Sequence, residues 1–165
     1  PLHQACALRA PRDVICALVK AYPKGVQEVE TAFNRLPLHV ACQHESSADA
    51  IRLLLSYNPL GTQTEDKSGR TPIHYVCSNG ASPEVIGALL SIDPSIASFP
   101  DVLGWMPIHV ACHVGASTES IQMLLNANPG SVNEKTNGGS TPLKLLSKIS
   151  CKNKHESASL LLNTW

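Results

Sequence analysis

Hydrophobic and polar positions alternate along this chain in a pattern that repeats. Val85, Ile86, Leu89 and Leu90 fall at helical spacing, and the same pattern returns as Ile51, Leu54 and Leu55 and as Ile121, Leu124 and Leu125. Ahead of these segments stand Ser47-Ala48-Asp49, Ser82-Pro83-Glu84 and Ser117-Thr118-Glu119, each a capping hydroxyl followed by a carboxylate suited to a first helical turn. Before each of these helices lies a shorter apolar stretch that opens on a proline. Its copies are Pro1-Leu2-His3-Gln4-Ala5-Cys6, Pro37-Leu38-His39-Val40-Ala41-Cys42, Pro72-Ile73-His74-Tyr75-Val76-Cys77, Pro107-Ile108-His109-Val110-Ala111-Cys112 and, worn down, Pro142-Leu143-Lys144-Leu145-Leu146. Proline is tolerated at a first helical position, because the N–H it lacks has no partner there. The spacing predicts a short helix from Pro72 to about Asn79, with Gly80 or Gly115 free to end such a helix in the left-handed region.

The prolines follow one another at steps of 36, 35, 35 and 35 residues. A fixed period of roughly 20–50 residues is the mark of a solenoid of stacked units. A second proline, at 23, 59, 94 and 129, always stands 22 residues after the first and is expected to end the longer helix. Three residues before each motif proline comes Asn34, Gly69, Gly104 or Gly139, residue types that accept positive φ and therefore mark a turn.

The recurring Thr-Pro-Ile-His and Leu-Pro-Leu-His stretches resemble the T-P-L-H-x-A signature of ankyrin repeats, and the resemblance runs the length of the chain. It implies an all-α solenoid of helix-turn-helix units joined by β-hairpin-like loops, one domain over 1–165. The units would be approximately 1–30 (partial), 31–65, 66–100, 101–135 and a cap-like 136–165, about four and a half repeats. The period exceeds the usual ankyrin length by about two residues between helix and hairpin, so the hairpins are expected to be displaced or partly irregular. Lys148, Lys152 and Lys154 make the last unit more polar, as suits a terminal unit facing water. Because the chain opens on a proline inside a unit, it reads as part of a longer polypeptide.

Composition narrows the function. Thirteen basic and thirteen acidic residues cancel among 165, and only 16% of positions are charged. Neither nucleic acid nor an anionic membrane is invited by such a balance. No apolar run reaches the ~18–20 residues of a membrane helix. Of the six cysteines, Cys6, Cys42, Cys77 and Cys112 occupy equivalent positions. Equivalent residues of stacked helices lie about 8–10 Å apart, too far for a disulfide, which needs Cα atoms within about 7 Å. Small buried thiols in a reducing intracellular compartment, cytoplasm or nucleus, fit better. Cys16 and Cys151 stand outside that register, and Cys16 is expected to be partly exposed.

The His-x-x-Cys pairs (His3/Cys6, His39/Cys42, His74/Cys77, His109/Cys112) invite a zinc or thiol-enzyme reading. Each unit supplies only two ligands, and no third catalytic group accompanies the pairs. No metal site, cofactor or catalytic residue is therefore assigned. By resemblance, His39, His74 and His109 fasten the helix start to neighbouring hairpin backbone, with Pro37, Pro72, Pro107 and Pro142 as the rest of the structural signature.

Function is then expected on the surface, as binding of another protein. The resemblance points to the hairpin tips and the concave side of the first helices: Phe33, Arg35, Gln43, His44, Lys67, Arg70, Asn79, Val102, Leu103, Trp105 and His113. Val102-Leu103-Gly104-Trp105 puts large apolar groups where a hairpin tip is normally polar. Either they meet a partner, or Leu103 or Trp105 folds back onto the domain. Arg35 and Arg70 are expected to form a rim that pairs with acidic groups of the partner. A purely architectural spacer is the alternative role.

Overall fold

Five short helices carry the repeated motif: α1 (Leu2–Ala7), α3 (Pro37–Gln43), α5 (Pro72–Ser78), α7 (Pro107–Val114) and α9 (Pro142–Ser147). Each precedes a longer partner: α2 (Arg12–Ala21), α4 (Ala48–Tyr57), α6 (Pro83–Ile92), α8 (Thr118–Ala127) and α10 (Lys154–Asn163). The computed structural model describes residues 1–80, 82–150 and 152–163; Cys151 lies outside them. The short helices stack in one layer, α1 on α3 on α5 on α7 on α9, and the long helices stack behind them in a second. This is an all-α solenoid.

The core runs between the two layers. Ile51, Leu54, Ile86, Leu89, Ile121 and Leu124 point into it from the long helices, and Ile73, Ile108, Cys77 and Cys112 meet them from the short ones. Fully burying each aliphatic side chain is worth roughly 1.5–3 kcal/mol. Ser47 and Ser117 cap α4 and α8 by accepting the N–H of Ala50 and Ser120, whereas the Ser82 side chain makes no such bond to α6. Gly115, at φ 74°, ends α7 in the left-handed region, and Gly80 follows α5 at φ 85°.

The second prolines do more than end a helix. Pro23–Val26, Pro59–Thr62, Pro94–Ser98 and Pro129–Val132 each form a 3₁₀ turn with the proline in its first position. The preceding residues, Tyr22, Asn58, Asp93 and Asn128, are driven toward extended backbone, as a following proline ring demands. The turns bury Val26, Thr62, Ala97 and Val132, closing the bottom of the core.

Between units the chain makes hairpin-like loops, with no β-strand among the described residues. The arms touch through two backbone bonds each: the N–H groups of Glu30, Asp66, Asp101 and Thr136 donate to the carbonyls of Arg35, Arg70, Trp105 and Ser140, and those of Asn34, Gly69, Gly104 and Gly139 donate back to the carbonyls of Glu30, Asp66, Asp101 and Thr136. Asn34 (φ 61°), Gly69, Gly104 and Gly139 hold the positive-φ corners. At Gly104 a side chain is excluded twice over, since a Cβ would also stand 2.9 Å from the Asn137 backbone nitrogen. Successive tips are bonded to one another: Lys67 N–H to the Phe33 carbonyl (2.9 Å), Val102 N–H to that of Ser68 (3.0 Å) and Asn137 N–H to that of Leu103 (3.0 Å).

Candidate interaction surface

The motif histidines are buried and doubly engaged. Nδ1 of His39, His74 and His109 accepts the backbone N–H of Leu36, Thr71 and Met106 at 3.1–3.2 Å, which satisfies a donor at the helix start. Nε2 then donates to the next loop: His3 to the Arg35 carbonyl (2.8 Å), His39 to Arg70 (3.1 Å), His74 to Trp105 (2.9 Å) and His109 to Glu134 (3.0 Å). In His39, His74 and His109 both ring nitrogens are thus committed to backbone. Burial pushes the His39 imidazole down to about 4 and lowers His74 and His109 too, so these rings stay neutral. Cys6, Cys42, Cys77 and Cys112 are all buried. Burial raises the pKa of Cys6 to about 12 and raises Cys42 and Cys77 likewise, the opposite of what a nucleophile needs. Among the described residues, no group of three or more His, Cys, Asp or Glu could hold a metal ion.

One layer out, each loop is organised by an acidic or hydroxyl residue that the sequence reading passed over. Asp66 Oδ1 accepts the N–H of Ser68 (2.8 Å) and Arg70 (3.0 Å); Asp101 Oδ1 accepts those of Leu103 and Trp105 (both 2.9 Å). Glu30 gathers three N–H groups of the first loop, and Thr136 receives that of Ser140 in the last. The second oxygen reaches back one unit, so that Asp66 Oδ2 takes Arg35 Nε (3.2 Å) and Asp101 Oδ2 takes Arg70 Nε (3.1 Å). Desolvation opposes ionisation of Asp66. The bonds from the Tyr75 hydroxyl, the Arg70 and Ser68 N–H groups and Arg35 outweigh it and hold the carboxyl below its ordinary value.

These contacts bear on the expected arginine rim, because each arginine is already paired through its Nε inside the chain. Arg35 is further engaged, its Nη1 donating to Gln43 Oε1 at 2.8 Å. Its guanidinium also lies 4.6 Å from the centre of the Phe33 ring and 4.7 Å from that of Tyr75. A signal for the pairing existed. Aspartate recurs three residues before Gly69 and Gly104, with arginine 31 residues earlier each time, and both change together to Trp105 and Thr136 at the next step.

The remaining expected contact residues are distributed as follows. Lys67 is exposed, and its Nζ donates to the carbonyls of Thr31 and Ala32. Asn79 is half-buried and bonds to the Gln43 carbonyl, while His44 is exposed. Val102 (62% exposed) and Leu103 (58%) stand out from the third tip, as Phe33 (54%) does from the first. Trp105 is half-buried: it packs against the core and meets the exposed His113 edge-to-face at 5.2 Å. The apolar tip therefore divides, with Trp105 turned inward and Val102 and Leu103 outward.

Two grooves border this tip. One, of about 470 Å³, runs between Arg35, Gln43, Asn79, Asp101 and Val102; the other, of about 360 Å³, lies between Trp105, Val110, His113 and Val114. Arg70, Ser78 and Leu103 line both.

Stacked helix pairs, hairpin loops and a histidine at the start of α1, α3, α5 and α7 define a repeat protein of the helix-turn-helix solenoid class. Residues 2–98 match the family model of ankyrin repeats (3 copies), and residues 103–137 match that of a single ankyrin repeat. The chain belongs to the ankyrin-repeat family. Domains of this family are typically protein-binding modules and usually non-catalytic. Comparison with curated proteins gives no match. Among the described residues, no helix is long and apolar enough to cross a membrane.

Proposed function

We propose that this chain is a non-catalytic protein-binding module whose partner lies across the face made by the hairpin tips and short helices of the 31–65, 66–100 and 101–135 units. The observation that carries this reading is the outward pair Val102 and Leu103, 62% and 58% exposed on a loop tip and flanked by two grooves. Clustered apolar side chains on a rigid, otherwise polar edge are a common anchor for a partner. Phe33, Gln43, His44, Lys67, Asn79 and His113 border the same face, with Trp105 as a packed wall. The free, buried thiols of Cys6, Cys42 and Cys77 support a role inside the cell.

The test is capture of bound proteins by the wild-type chain and by a Val102→Asp/Leu103→Asp variant. Both side chains are solvent-facing, so the variant should melt with the wild type. A protein held by the wild type and lost by the folded variant supports the reading. Identical capture by both moves the partner to another face, and capture by neither favours a spacer role.

A further inference from the structure

Two arginines occupy equivalent positions in consecutive units, yet their surroundings differ. Arg35 has its Nε on Asp66, its Nη1 on Gln43 and its planar face against Phe33 and Tyr75, and its side chain is 17% exposed. Arg70 has only the first of these: its Nε donates to Asp101, and the side chain is 30% exposed. The reason is in the sequence. At the positions equivalent to Phe33, Gln43 and Tyr75, the surroundings of Arg70 offer Ser68, Ser78 and Val110. Neither ring is present, and serine is too short to reach the guanidinium as glutamine does. Asp101 therefore pins Arg70 by its Nε edge, and among the described residues the Nη groups of Arg70, which lines both grooves, have no hydrogen-bond partner.

Arg70 stands where the two grooves meet. On one side Leu103, Trp105 and Val114 make an apolar pocket, and on the other are the polar groups of Gln43 and Asn79. Asp101, which lines the groove, and Asp66, bonded to the lining residue Arg35, both accept from arginine and from backbone N–H groups, so neither presents an unpaired negative charge. A guanidinium held at Nε is preorganised to offer its two Nη groups as a fork to a carboxylate, with little side-chain entropy left to lose.

We propose that Arg70 reads an acidic side chain in the partner, an Asp or Glu within an extended segment. An adjacent apolar side chain of that segment enters the pocket between Leu103, Trp105 and Val114. The groove continues on both sides of Arg70, so the segment passes through, and its carboxylate belongs to an internal residue rather than to a chain end. This assignment rests on the protein-binding reading above and deepens it.

The probe is a displayed library of random linear peptides selected on the whole chain, followed by affinity measurement on synthetic peptides with amidated ends. Expected is a consensus with Asp or Glu next to a large apolar residue, weakened about tenfold or more by Arg70→Gln. Arg70→Gln also removes the pair with Asp101, so Ser78→Gln serves as the second variant. It copies Gln43, occupies the Nη edge, leaves Arg70 and its pair in place, and should weaken the same peptides. A consensus without an acidic residue, binding that requires a free C-terminus, or acidic peptides held equally by Ser78→Gln each overturn the assignment. If such peptides are still lost by Leu103→Asp, the binding face stands and only the role of Arg70 falls. If no peptide is enriched and Leu103→Asp captures the same proteins as the wild type, both fall.

Discussion

Replacing Asp66 with alanine is the most demanding test of how the units are joined. The carboxylate is 1% exposed and serves four donors: the N–H groups of Ser68 and Arg70 on one oxygen, Arg35 Nε and the Tyr75 hydroxyl on the other. Alanine leaves the guanidinium of Arg35 without its counter-ion at 17% exposure, and strands a tyrosine hydroxyl in a side chain only 5% exposed. Removing one partner of a buried ion pair costs about 3–5 kcal/mol, because the other charge stays behind. For a chain of this size that lowers the melting temperature by about 6–20 °C. Asp101→Ala is the internal control. Its arginine is more exposed, at 30%, and the residue equivalent to Tyr75 is Val110, which has no hydroxyl to strand. Its loss should be smaller by about 1–3 kcal/mol, the cost of an unsatisfied buried hydroxyl. Thermal and urea unfolding by circular dichroism at neutral pH measures both. Equal destabilisation by the two variants, or none by Asp66→Ala, refutes the reasoning.

Acid should loosen the stack before the carboxylates titrate. An unfolded-state histidine takes up its proton near pH 6.5, but folded His39 only near 4, so the unfolded chain binds more protons between them. Stability contributed by neutral His39 is thus full above about 6.5 and lost as the pH falls toward 4, by about 3 kcal/mol, with His74 and His109 acting in the same direction. A urea midpoint that stays flat from pH 7 to 4.5 would contradict this. Gly104→Ala should destabilise more than Gly80→Ala: both glycines have positive φ, but a Cβ meets the Asn137 backbone at the first and nothing within 4 Å at the second. The strain alone is worth about 1–2 kcal/mol, and matching melting curves would sink the comparison. In a Cys151→Ser background, native-state thiol labelling should reach half-exposed Cys16 quickly, while buried Cys6, Cys42, Cys77 and Cys112 wait for unfolding. Rapid labelling of all five would show that the core is open.

The sequence carried the parts of this fold that each unit settles locally. Prolines at first helical positions, positive φ at Asn34, Gly69, Gly104 and Gly139, and the register of buried cysteines depend on neighbours a few residues away. Contacts between units were harder to read. That Arg35 and Arg70 are answered by Asp66 and Asp101 is decided by how one loop seats on the next; the 31-residue recurrence marks the pair but not the seating that brings it together. Trp105 posed the same difficulty, because its half-burial rests on His109 and His113 in the following helix. The 3₁₀ turns were hidden for another reason. Proline announces the end of a helix as plainly as the start of a new turn, and only the burial of residues such as Val26 and Val132 distinguishes the two.

The bonds between successive loop tips, Lys67 to Phe33, Val102 to Ser68 and Asn137 to Leu103, give the solenoid two edges of different stiffness. Along the tips, backbone hydrogen bonds set the distance from unit to unit, and the histidine bonds just behind them repeat the constraint. Along the long helices the units meet through side chains alone, Met123 against Gly87 and the exposed Arg52–Glu84 pair among them, contacts that repack more readily than bonds between backbones stretch. A bending load is therefore taken up like that on a hinged strip, with the tips as the pivot line and the long helices spreading or closing behind it. The spacing between Arg35, Arg70 and Trp105 is set on the bonded side, so a change of curvature falls on the long helices and leaves that row of side chains in step.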